Sequence, residues 1–64
     1  MPFITVDGPK IDDVDRKRQM VKALARAASE AYGMDEEHII VLIRENSPDN
    51  VGIGGELIVD RRME

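Results

Sequence analysis

The chain has 64 residues, a net charge of −4 and a pI near 4.9, with no cysteine and a single histidine, His38. Disulfides and thiolate metal sites are therefore excluded, and the acidic balance argues against nucleic acid or an anionic membrane as a partner, because both require clustered basic residues. No apolar run approaches the roughly 20 residues of a membrane span, and the N-terminus lacks the charged and apolar regions of a signal peptide, so one cytoplasmic domain over residues 1–64 is expected.

A domain of this size hides only about 60% of the surface that its unfolded chain exposes. Ordering it costs on the order of 100 kcal/mol at about 1.5 kcal/mol per residue, and short chains usually offset this with disulfides, a metal or partners. With the first excluded and no metal-ligand cluster in view, self-association is the expected route.

The first element is FITVD, residues 3–7, β-branched and ended by Gly8-Pro9, which reads as a strand stopped by a turn. Period-2 alternation puts Pro2, Ile4 and Val6 on one face and Phe3 and Thr5 on the other. Both faces are apolar near the start, as in a strand covered on two sides. Asp12-Asp13 supplies an N-cap, with Asp15 in the first turn, for a helix expected from about Asp13 to Tyr32. Val14, Met20, Val21, Leu24, Ala27, Ala28 and Ala31 form its apolar stripe; Arg16, Lys17, Arg18, Lys22, Arg26 and Glu30 hold the solvated surface. Gly33 is a natural C′ residue, free to take positive φ.

Met34 to His38 is a short connection, with Asp35 able to begin a helical turn. HIIVLIRE then reads as a strand buried on both faces and parallel to its neighbour. Strand, long helix, strand is a β-α-β unit of the α/β class, with a right-handed crossover. One helix covers one face of a two-stranded sheet, so the other face calls for a second subunit. NSPDN reads as a turn. The glycines of VGIGGELIV lack the lysine of a phosphate-binding loop and precede no helix pattern, so they are expected to supply a tight C-terminal β-hairpin or to let another backbone approach closely, with Leu57 to Val59 as a short third strand.

Few residues can carry chemistry. A nucleophile triad is excluded, because there is no cysteine and His38 has no readable serine and carboxylate partners. The acidic residues sit mainly where capping explains them. Pro2 remains. It has a bland explanation as a harmless first residue of a strand. It has a sharper one as a terminal secondary amine, released when Met1 is removed.

Met-Pro before a β-branched strand, an amphipathic helix, an apolar strand and Gly52-Ile53-Gly54-Gly55-Glu56-Leu57 near the end together resemble the 4-oxalocrotonate tautomerase family, with similarity to its small archaeal members, over essentially the whole chain. The resemblance implies β-α-β subunits with a terminal hairpin, joined as dimers and assembled as a hexamer. It also implies keto–enol tautomerisation of unsaturated 2-oxo acids, such as 2-hydroxymuconate, without metal or organic cofactor. Pro2 would be the general base, taking the proton of the dienol and returning it at a distant carbon. Apolar enclosure lowers an α-amine pKa from about 7.7–8.0 toward the range in which a general base works best at neutral pH. Ile4, Leu42 and Val51 are the expected apolar wall.

The sequence also departs from that family. Aligned without gaps, the positions of its two substrate-clamping arginines hold Asp12 and Ile40, and that of a phenylalanine before the glycines holds Val51. A dicarboxylate beside Asp12 would be repelled. The candidate replacements for a small carboxylate substrate are Lys10, two residues before Asp12; Arg44, on the Ile40 face about 13 Å further along the strand; and Arg61 or Arg62 from a neighbouring subunit. For each, an ordinary solvated surface charge is the competing explanation. Two other functions stay open: hydratase- or dehalogenase-type chemistry in which a cationic Pro2 donates its proton, and a non-catalytic oligomeric binding or scaffold protein.

Overall fold

The computed structural model describes residues 1–61. Strand β1 spans Phe3–Gly8, helix α1 Val14–Tyr32 and strand β2 Ile40–Glu45; a short hairpin of β3, Gly52–Ile53, and β4, Glu56–Leu57, follows. Single 3₁₀ turns lie at Glu36–His38, Pro48–Asn50 and Ile58–Asp60. β1 and β2 pair in parallel, in a register that sets Phe3 against Ile40, Thr5 against Leu42 and Asp7 against Arg44. This is the β-α-β unit expected from the order of periodicities.

The helix begins and ends where its caps dictate. The Asp13 carboxylate accepts the Asp15 N–H at 2.9 Å, satisfying one of the donors left free in the first turn. At the other end Gly33 takes φ 67°, and its N–H and that of Met34 both donate to the Ser29 carbonyl, at 2.9 and 3.2 Å. A residue with a Cβ would be strained there.

α1 lies over the sheet face formed by Ile4, Val6, Val41 and Ile43, all half-buried, and turns Met20, Val21, Leu24 and Ala28 toward it. The expected stripe was wider. Val14, Ala27 and Ala31 are exposed, because two strands about 4.8 Å apart are too narrow to cover a helix about 10 Å across. Lys17, assigned from the sequence to the solvated surface, is instead half-buried.

The other face of the sheet is bare. Phe3, Ile40 and Leu42 are 60, 37 and 39% exposed, and no described residue counts as buried. The accessible surface is 5382 Å², against roughly 4,100 Å² for a compact monomer of this mass. The radius of gyration is 15.1 Å, against roughly 11 Å for a compact chain of this length. The protomer leaves uncovered the apolar surface that the sequence marks for burial.

The expected hairpin forms, with a different extent of its final strand. Gly52 pairs with Leu57 and Ile53 with Glu56. The final strand is therefore Glu56–Leu57, and Ile58 and Val59, expected to continue it, lie in the 3₁₀ turn Ile58–Asp60. The two residues between the strands, Gly54 and Gly55, have φ of 60° and 84°, the combination that a two-residue primed turn requires. Glycine at both positions closes the hairpin one residue pair earlier than the apolar run suggests. Among the described residues, no helix is long and apolar enough to cross a membrane.

Candidate active site

Pro2 is half-buried at the mouth of β1, and its carbonyl accepts the Ile40 N–H at 3.1 Å. That bond extends the ladder by one residue beyond β1, so the ring is fastened to the sheet. Lacking an N–H, proline sacrifices no ladder bond at this position. While Met1 is attached, the Pro2 nitrogen is an amide and has no basicity. Removal of Met1 would make it a secondary amine on a rigid ring at a fixed point. Ile4 shares its face of β1 and is half-buried beneath the helix.

The remaining candidates do not gather around Pro2 within one protomer. Leu42 lies on the opposite, bare face of the sheet, beside Thr5 in register. Arg44 is on that face too, exposed and opposite Asp7 at the far end of the strands. Val51 is half-buried in an apolar cleft of about 450 Å³ between Gly8, Pro9, Pro48 and Ile58. This cleft adjoins the last residue of β1, six residues beyond Pro2 and so about 20 Å away at about 3.3 Å per residue. Lys10 is exposed in the loop between β1 and α1, 3.9 Å from the Asp12 carboxylate. Arg61 reaches Glu56 at 3.4 Å, and Arg62 lies outside the described residues. Parity along a strand is legible in sequence. Which end of the sheet receives the later hairpin is not.

One polar cluster went unforeseen. A Glu45 carboxylate oxygen, at the end of β2, accepts from Lys17 Nζ at 2.7 Å and from the Ile11 N–H at 2.9 Å. The hydrogen bond from the Lys17 ammonium, followed by that from the Ile11 N–H, holds the Glu45 carboxyl below the usual glutamate range. The three residues are remote in sequence, and no spacing rule connects them. The nearest signal was a lysine on the sheet-facing stripe of an amphipathic helix, a position that needs a counter-charge. Elsewhere Asp35, Glu37 and His38 bring possible metal-ligand atoms within 4.8 Å of one another, all on exposed side chains. Exposed carboxylates meeting at a turn are common without an ion.

Comparison with known proteins supplies a context for this arrangement. A family model described as "Tautomerase enzyme" matches residues 2–61. A "Probable tautomerase" of Bacillus cereus is 31% identical over 61 residues, 95% of this chain and all of the relative. "Probable tautomerase K2" of Dickeya dadantii is 32% identical over 66 residues, covering all of this chain and 97% of its own. Among solved structures, DmpI of Archaeoglobus fulgidus is 49% identical, with 92% of this chain and all of that one covered and a TM-score of 0.83. YwhB, a homologue of 4-oxalocrotonate tautomerase, is 30% identical, with 95 and 100% coverage and a TM-score of 0.87. A heterohexamer 4-oxalocrotonate tautomerase from Chloroflexus aurantiacus shares the fold at 21% identity, with 97 and 100% coverage and a TM-score of 0.84.

Proposed function

The chain belongs to the 4-oxalocrotonate tautomerase family of the tautomerase superfamily and is an isomerase of that kind; on that premise we propose that Pro2, freed by removal of Met1, is the general base that tautomerises a small unsaturated 2-oxo acid. The observation that carries this reading is the position of Pro2: half-buried, at the mouth of a strand, with its carbonyl bonded to Ile40. A base held this way reaches its proton without an ordering cost at the moment of reaction.

In the proposed reaction the enol O–H bond breaks and its proton passes to the Pro2 nitrogen. The oxygen electron pair forms the carbonyl, the π electrons shift along the conjugated chain, and a distant carbon takes the proton back from the prolinium. The amine is regenerated and no oxidant or reductant is consumed. Pairing the substrate carboxylate and the developing negative oxygen with a fixed cation lowers the barrier further.

Lys10, Arg44 and Arg61 belong to the end of the protomer remote from Pro2, so in this reading a second copy brings its cations and its Val51 cleft to the Pro2 of the first. The proposed assembly is a homo-oligomer, a hexamer built as three dimers. The bare face with Phe3, Ile40 and Leu42 supports it, as does the heterohexamer named for the Chloroflexus relative. Asp12 disfavours a second carboxylate, which makes a monocarboxylate the preferred substrate.

Ketonisation of phenylenolpyruvate by wild type and Pro2→Ala, both with Met1 removed, tests the reading. A fall in kcat/KM of about a hundredfold is expected, the lower end of what a positioned general base contributes. Equal rates would leave Pro2 with no part in the reaction.

A further inference from the structure

Residues 9–13, between β1 and α1, make few regular backbone bonds, yet they are fastened at three points. At the near end the Gly8 carbonyl accepts the Asn46 N–H at 2.8 Å. In the middle the Ile11 N–H donates to Glu45 at 2.9 Å, across 34 residues of sequence. At the far end Asp13 caps the helix. Lys10 and Asp12, which flank the central tether, are left to face outward, 3.9 Å apart.

The central tether is unlike the other charged contacts. The side chains of Lys17 and Glu45 are 29 and 27% exposed, whereas those of every other ion pair among the described residues are 44 to 90% exposed. Solvent and salt screen those pairs heavily. Glu45 instead joins the end of β2, the middle of the loop and the first helical turns through one carboxylate, with Lys17 fixing its orientation. A carboxylate that accepts from an ammonium and a backbone N–H makes shorter and stronger bonds than a neutral acceptor.

We propose that Glu45 is a positioning residue: through the Ile11 N–H it holds the loop in the shape that presents Lys10 to the carboxylate of the substrate. The inference rests on the reading above, in which Lys10 binds the substrate at the Pro2 of another copy. Lys17 serves the same end at one remove, by orienting Glu45. Loss of the tether frees the loop between Pro9 and the Asp13 cap, and Lys10 must then be ordered anew each time substrate binds. That cost falls on binding, because Pro2 and the reacting atoms are untouched.

The test is a kinetic cycle on phenylenolpyruvate with Met1-free protein, comparing wild type, Glu45→Ala, Lys10→Ala and the double variant. Glu45→Ala is expected to raise KM about tenfold with kcat within about twofold, the pattern of lost ground-state binding. The double variant is expected to match Lys10→Ala alone, because Glu45 acts only through Lys10. Glu45→Asp should recover part of the KM, which loss of folding stability alone would not explain. Lys17→Met keeps the Ile11 bond and should give a smaller KM rise; it replaces Glu45→Ala in the cycle if circular dichroism finds that variant unfolded. An unchanged KM, a loss confined to kcat, or effects of Glu45→Ala and Lys10→Ala that multiply would overturn the proposal. Failure of the function itself reads differently: wild type and Pro2→Ala would then be equal, whatever Glu45 does.

Discussion

The Pro2 carbonyl accepts the Ile40 N–H at 3.1 Å, so the residue that carries the proposed base is the last rung of the β1–β2 ladder. The position of its nitrogen follows from the sheet and does not depend on a side-chain rotamer. That nitrogen can be a base only once Met1 is gone, since until then it is an amide. A chain that keeps Met1, or carries any residue before Pro2, should lose its Pro2-dependent turnover while keeping its fold. Intact-mass spectrometry alongside kcat/KM and circular dichroism checks this; undiminished activity in a chain shown by mass to retain Met1 would contradict it.

Protonating Glu45 should loosen the protein at low pH. Its carboxyl titrates below the usual glutamate range in the folded state, mainly through the Lys17 hydrogen bond and then through Ile11. A group whose folded pKa is lowered adds stability that is fully present above its unfolded value, about 4.3, and is lost as pH falls through the folded one. Thermal melts should therefore show wild type losing its advantage over Glu45→Gln as the pH is lowered from about 5 to 3, a window taken from the ordinary glutamate range. A difference between the two that does not change over that window would mean the pair contributes nothing to stability.

The ends of the helix and the turn of the hairpin are legible in the sequence. Asp13 and Gly33 mark the helix ends because a capping carboxylate and a left-handed glycine have few substitutes. Gly54-Gly55 marks the hairpin because a primed turn needs two positive φ values. The Glu45–Lys17–Ile11 cluster was hidden, since it joins residues that only the completed β-α-β crossover brings together. Pro2 and Val51, expected in one site, sit at opposite ends of the sheet within a single protomer. No local pattern reports which end a later segment returns to.

The bare sheet face predicts its own partner. Leu42→Asp would put a carboxylate where an apolar surface is to be covered, forfeiting about 2 kcal/mol of burial per copy before the cost of a buried charge is counted. Sedimentation velocity should find wild type as an oligomer and the variant as smaller species with reduced activity. An unchanged sedimentation coefficient would mean that this face is not an interface.

Asp12 predicts selectivity. Replacing it with asparagine removes a negative charge 3.9 Å from Lys10. The proposed site should then accept a second carboxylate more readily. The ratio of kcat/KM for 2-hydroxymuconate over phenylenolpyruvate should rise by about three- to tenfold in Asp12→Asn, the scale of one near-surface charge contact. Equal ratios in the two proteins would remove Asp12 from the substrate's surroundings.

A ¹⁵N NMR titration of Pro2, in protein from which Met1 has been removed, tests its role as base most directly. One secondary amine should titrate below the ordinary α-amine range of about 7.7–8.0, neutral in most molecules at pH 7 and therefore able to take a proton. An amine still fully protonated at pH 8 would rule Pro2 out as the base, since it could then only donate.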